Sequence, residues 1–206
     1  CGFYLRVLAV FDLCVLLTVS VSQINHQYKE TIITTLYCKF MAFFFSYFKM
    51  AACWIVVLMT SERLVAVAFP LNVVRVCTIH TAHILAPLTL GVLALLNSAA
   101  FWLVTVDRRI FHCDWDWKTH KVVLHYWTFV DAFMHFYIPI ILVVSMNAVI
   151  ICKLQSAAQL QATITNAKDG KRGNNKQITN MFLAISISFV IFLLPYALYA
   201  DRKSVV

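Results

Sequence analysis

Apolar residues in this chain gather in long, nearly continuous runs separated by short polar links. They do not alternate as in half-buried strands or recur every third or fourth position as in soluble helices. Five runs reach membrane-spanning length: residues 1–22 (segment A), 34–69 (B), 78–106 (C), 122–154 (D) and 176–200 (E). Lipid offers no water to an open backbone, so runs of this length predict helices, each satisfying its own amides. The expected fold class is all-α: a transmembrane helical bundle forming a single domain over 1–206. An odd number of spans with cut edges suggests a piece incomplete at both ends. Only 168–175, rich in Lys, Gly and Asn, reads as an open linker.

Segment B is the most informative. Between Cys38 and Arg63 lie 25 steps of almost wholly apolar chain. As helix this rises about 37 Å, enough to place a cysteine at one membrane face and the Glu62-Arg63 pair at the other. Composition agrees. The 206 residues are 62% hydrophobic and only 13% charged, about half the charged fraction usual in a water-soluble domain.

A net charge of +8 raises the question of nucleic acid, but the basic residues are scattered among loops and form no stripe interleaved with exposed aromatics. Nor do they orient the bundle, because Lys and Arg divide evenly between its two faces. Cysteines orient it better. Cys38 and Cys113 alone share the face opposite Arg63. A bridge between them would make that face extracellular or lumenal, and two free thiols are the other reading.

Leu8-Ala9-Val10-Phe11-Asp12 in A, Cys38 at the start of B, Glu62-Arg63-Leu64 at its end, Cys113 in the loop between C and D, Tyr137-Ile138-Pro139 with Asn147 in D, and Phe189 with Pro195 in E occur in order. In these residues the chain resembles the rhodopsin-like (class A) G-protein-coupled receptors, A to E looking like that family's second to sixth membrane helices. The resemblance implies a Cys38–Cys113 disulfide, an ion site at Asp12, and an activation switch comprising Glu62, Arg63, Asn147, Phe189 and Pro195. Several family residues are replaced. Leu90 stands for the usual tryptophan of the fourth helix, Leu193 for the aromatic before the sixth-helix proline, and Asn147 for the fifth-helix tyrosine. Phe45 occupies the position where amine receptors keep an aspartate, which argues against an amine ligand. The runs Glu62–Leu71 and Phe192-Leu193-Leu194-Pro195 look most like invertebrate neuropeptide receptors of the FMRFamide-like type.

Physical chemistry bears on the same residues. Arg63 is a permanent charge at a membrane edge, and Glu62 can hold it as a latch; snorkelling that anchors the helix end is the plainer role. Asp12 lies among Val, Leu and Phe, where an ionised carboxylate is costly unless paired, so it either binds sodium or carries a proton. Lys49 and Asp131 are the unusual charges, one inside B and one eight residues before Pro139 in D. They pair with each other, or Asp131 receives a basic group of a peptide while Lys49 contacts a carbonyl. Phe45 and His135 join them as expected pocket residues, with Tyr47, Phe48, Phe133 and Tyr137 as candidate aromatic lining.

The histidines and cysteines show no metal-ligand spacing, and no nucleophile elbow or phosphate-cradling glycine loop occurs, so neither an enzyme nor a cofactor is expected. The expected function is a multi-pass plasma-membrane receptor that binds an extracellular peptide and activates a heterotrimeric G protein, with membrane lipid but no nucleic acid among its partners. A truncated non-signalling isoform and a polytopic transporter subunit are the alternatives.

Overall fold

A computed structural model of the chain describes residues 2–27, 35–69, 78–107, 112–115, 121–164 and 191. Segment E, including Phe189 and Pro195, lies outside the described residues apart from Ile191. Helices α1 (Gly2–Gln27), α2 (Thr35–Ala68) and α3 (Ile79–Asn97) are followed by a short α4 (Ala100–Leu103), strands β1 (Val104–Asp107) and β2 (His112–Trp115), and α5 (Lys121–Ala132). A π-helical turn, Phe133–Tyr137, then joins α5 to α6 (Ile138–Ile164). Among the described residues, four stretches are long and apolar enough to cross a membrane: Gly2–Ile24, Thr35–Ala68, Ile79–Leu103 and Val122–Ser156.

The bundle is built around α2. Its middle is buried in an almost unbroken run, Met50, Ala51, Ala52, Cys53, Ile55, Val56, Val57, Met59 and Thr60, as expected of a helix with neighbours on every side. Small residues at 51–53 let those neighbours approach closely, which in lipid replaces the missing hydrophobic drive. Towards its C-terminal end, Ile55 and Met59 pack with Tyr4 of α1 and Ala82 and Ala86 of α3. Val56 and Val57 meet Val143 of α6, while Met50 and Ala51 meet Leu93 of α3. Outward-facing Leu13, Leu16, Leu17, Leu88, Leu95 and Ile141 are exposed apolar side chains, the usual surface of a bundle solvated by lipid.

Segment C departs from the continuous span expected to residue 106. Thr78 begins α3 with its hydroxyl accepting from the Thr81 amide at 3.2 Å. The helix turns at Ser98 and Ala99, resumes for four residues as α4, and gives way to β1. Val104 and Val106 are β-branched and extended; Val106 opposes Cys113 and Val104 opposes Trp115 in an antiparallel pair. The apolar run therefore continues past the helix because β1 lies against Cys38 at the end of the bundle, a packing that hydropathy alone does not distinguish from a span.

Candidate ligand and coupling site

Cys38 is wholly buried at the N-terminal end of α2, packed against Ala100 and Val104. It is disulfide-bonded to Cys113 on β2, with the two Cα atoms 5.3 Å apart. The β1–β2 hairpin is thus stapled to the mouth of the bundle, at the opposite end of α2 from Glu62 and Arg63.

Inward from the bridge, starting two residues after Cys38, α2 carries two aromatic columns. Phe40, Phe44 and Phe48 stack in turn, with centroid separations of 6.2 and 5.5 Å, and Phe43 stacks on Tyr47 at 5.7 Å. This is the i, i+4 spacing at which helical side chains meet. Phe11 of α1 meets both Tyr47 and Phe48 edge-on, and Phe101 of α4 meets Phe40 and Phe43.

Beside these columns, Lys49 extends back along its helix so that Nζ lies 4.1 Å from the centroid of the Phe45 ring. The ammonium also interacts electrostatically with Asp131 of α5 and with His135 in the π-turn. Asp131 is half-buried, and His135 is 2% exposed with its ring stacked on Phe136 at 4.2 Å. The four expected pocket residues, Phe45, Lys49, Asp131 and His135, are therefore grouped between α2 and the α5–π segment. A cation, a carboxylate and an imidazole thus lie within electrostatic reach inside an apolar bundle.

Phe133 and Tyr137 do not join them. Both are exposed, their rings tilted against one another at 5.2 Å on the side of the turn opposite His135. The sequence reading placed His135 with its aromatic neighbours on one lining surface; the geometry of the π-turn separates them.

That turn is the feature sequence reasoning missed. The Ile138 amide bonds to the Phe133 carbonyl, five residues back, and so leaves the Met134 carbonyl. The residue five beyond Met134 is Pro139, which has no amide hydrogen to give. Trp54 of α2 supplies the donor, its Nε1–H reaching Met134 O at 3.0 Å. The available signal was Pro139 with a tryptophan in the facing helix, but no spacing rule ties the two.

At the other end of α2, Glu62 and Arg63 are half-buried, and their charges interact. Asn147 of α6 is half-buried, whereas Asp12 of α1 lies on an exposed side of its helix. Asn97, singled out by no motif, is completely buried. Its Nδ2 donates to Leu93 O at 2.8 Å and contacts Met50 Sδ at 3.5 Å, and among the described residues Oδ1 has no hydrogen-bond partner. Among the described residues no cluster of three or more His, Cys, Asp or Glu could hold a metal ion.

Comparison with known proteins agrees with this architecture. The chain is similar to Opsin-VA of Rutilus rutilus, 24% identical over 174 residues, covering 79% of this chain and 42% of that relative's length. The family description "7 transmembrane receptor (rhodopsin family)" matches residues 1–201, nearly the whole chain. That family is a class of receptors and not of enzymes, and the chain belongs to it.

Proposed function

We propose that the chain forms the ligand-reading and G-protein-coupling part of a plasma-membrane receptor for an extracellular peptide of the FMRFamide-like class. The observation that carries this is the Lys49–Asp131 pair: opposite charges inside the apolar bundle, grouped with Phe45 and His135 in the half nearer the Cys38–Cys113 bridge. An arginine of the peptide would replace Lys49 at Asp131, and Lys49 would remain over the Phe45 ring. The aromatic columns of α2 suit phenylalanine side chains. Likeness to an opsin supports the family and carries no ligand across.

Ligand binding would favour an arrangement in which α2, α6 and segment E part at the Arg63 end, because it binds that arrangement better. Arg63 would then leave Glu62 for the G protein, with Asn147, Phe189 and Pro195 accommodating the movement and Asp12 supplying a sodium or proton site that opposes it. The test is nucleotide exchange on a heterotrimeric G protein in receptor-bearing membranes, with amidated peptides ending in Arg-Phe as agonists. Concentration-dependent exchange supports the reading. Exchange driven by small amines and not by peptides would replace it.

A further inference from the structure

We propose that Trp54 is a positioning residue for the ligand site: by donating to the Met134 carbonyl it holds the π-turn, and the π-turn directs Asp131 and His135 towards α2. The assignment of those two residues to a ligand site rests on the function proposed above; their orientation does not.

The core-facing stripe of α6 contains Pro139, Val143, half-buried Met146 and Ile150, spaced four, three and four. An α-helix advances about 100° per residue, so an unbroken helix extending this stripe outward brings His125, Thr128 and Ala132 to the core and sets Leu124 and Asp131 to one side of it. Observed burial differs. His125 is exposed while its neighbour Leu124 is buried, and the inner face of α5 carries Leu124, half-buried Thr128 and Asp131, and then His135. This second stripe is again spaced four, three and four, and it joins the first through consecutive steps of four. One extra residue has been absorbed at Phe133–Tyr137.

The consequence for Asp131 follows from the same geometry. Eight regular steps would set it about 80° away from Pro139 around the helix; with one residue taken up by the turn, the two align within about 20°. Wide turns of this kind occur mainly as single interruptions of α-helices and are often found at functional sites. Here the turn strands one carbonyl. Ile138 gives its amide to Phe133, Pro139 has none, and Met134 O is held by the indole of Trp54. In lipid no water can take that place. Trp54 is itself fixed against Met50, Ala51 and Leu93, so the π-turn is referred to the most buried part of α2.

The test reads orientation directly in the membrane-expressed receptor and needs no agonist. In a background keeping Cys38 and Cys113 with the other cysteines replaced, Asp131→Cys and Phe129→Cys are compared for reaction rate with a water-borne methanethiosulfonate ethylammonium reagent. With Trp54 present, position 131 should react at least tenfold faster than position 129. Two replacements at 54 follow: Trp54→Phe, and the isostere 3-benzothienylalanine, which keeps the bicyclic shape and lacks the N–H. Collapse of the rate ratio by tenfold or more with both supports the assignment. A ratio unchanged with both overturns it. Collapse with Phe alone also overturns it, because ring packing and not the hydrogen bond would then hold the turn. If a variant is not displayed at the surface, the isostere alone decides, and failure of every peptide to activate the receptor leaves this ratio unaffected.

Discussion

Lys49 Nζ lies 4.1 Å from the centroid of Phe45, one helical turn closer to the disulfide-bonded end of the bundle. A cation over an aromatic face in a desolvated setting is worth up to about 2 kcal/mol. Phe45→Leu should therefore lower the melting temperature of the solubilised receptor by a few degrees, whereas Phe45→Tyr, which keeps the ring face, should leave it within a degree. Equal losses in both variants would place the contribution in packing alone.

The Cys38–Cys113 bridge closes a loop with a sequence separation of 75. A flexible chain of that length would gain about 4.5 kcal/mol from the cross-link. In lipid the gain is smaller, since spans remain helical when the bundle comes apart. Cys38→Ser and Cys113→Ser should each lower thermal stability by a similar amount, and the double variant should be no worse than either single one. A melt series on the three variants checks this non-additivity.

Asn97 is buried, and its Oδ1 has no hydrogen-bond partner among the described residues. A buried acceptor left unmade costs about 1–3 kcal/mol, so Asn97→Leu should be neutral or stabilising, and Asn97→Asp, which buries a charge at the same place, should be destabilising. Thermal melts of the two variants should move in opposite directions.

Glu62 and Arg63 interact at the far end of α2. If Glu62 restrains Arg63, Glu62→Gln should raise agonist-independent nucleotide exchange severalfold, and Arg63→Ala should abolish agonist-driven exchange without lowering surface display. Unchanged basal exchange in Glu62→Gln would mean that Arg63 anchors the helix end and is not a latch.

The bundle was legible because lipid imposes a simple rule: runs long enough to span must satisfy their own amides, and a cysteine 25 residues from a Glu-Arg pair marks both ends of one helix. Lys49 and Asp131 were legible for the same reason, since any charge within such a run is conspicuous. Two features were not. The strand Val104–Asp107 begins within the same apolar run as the helix before it, and its conformation comes from pairing with β2. The π-turn depends on a carbonyl in one helix finding an indole in another, 80 residues away in sequence. Hydropathy reports burial and is silent about rotation, which is why Phe133 and Tyr137 were expected in the lining and lie outside it.

The most direct test of ligand recognition at Asp131 pairs a receptor change with a peptide change. Nucleotide exchange is measured for Phe-Met-Arg-Phe-amide and for the same peptide with citrulline in place of arginine, on the native receptor and on Asp131→Asn. The expected result is a preference of at least tenfold for arginine on the native receptor, about 1.4 kcal/mol, that disappears in Asp131→Asn. The same arginine preference in both receptors would contradict a direct contact between Asp131 and the ligand cation.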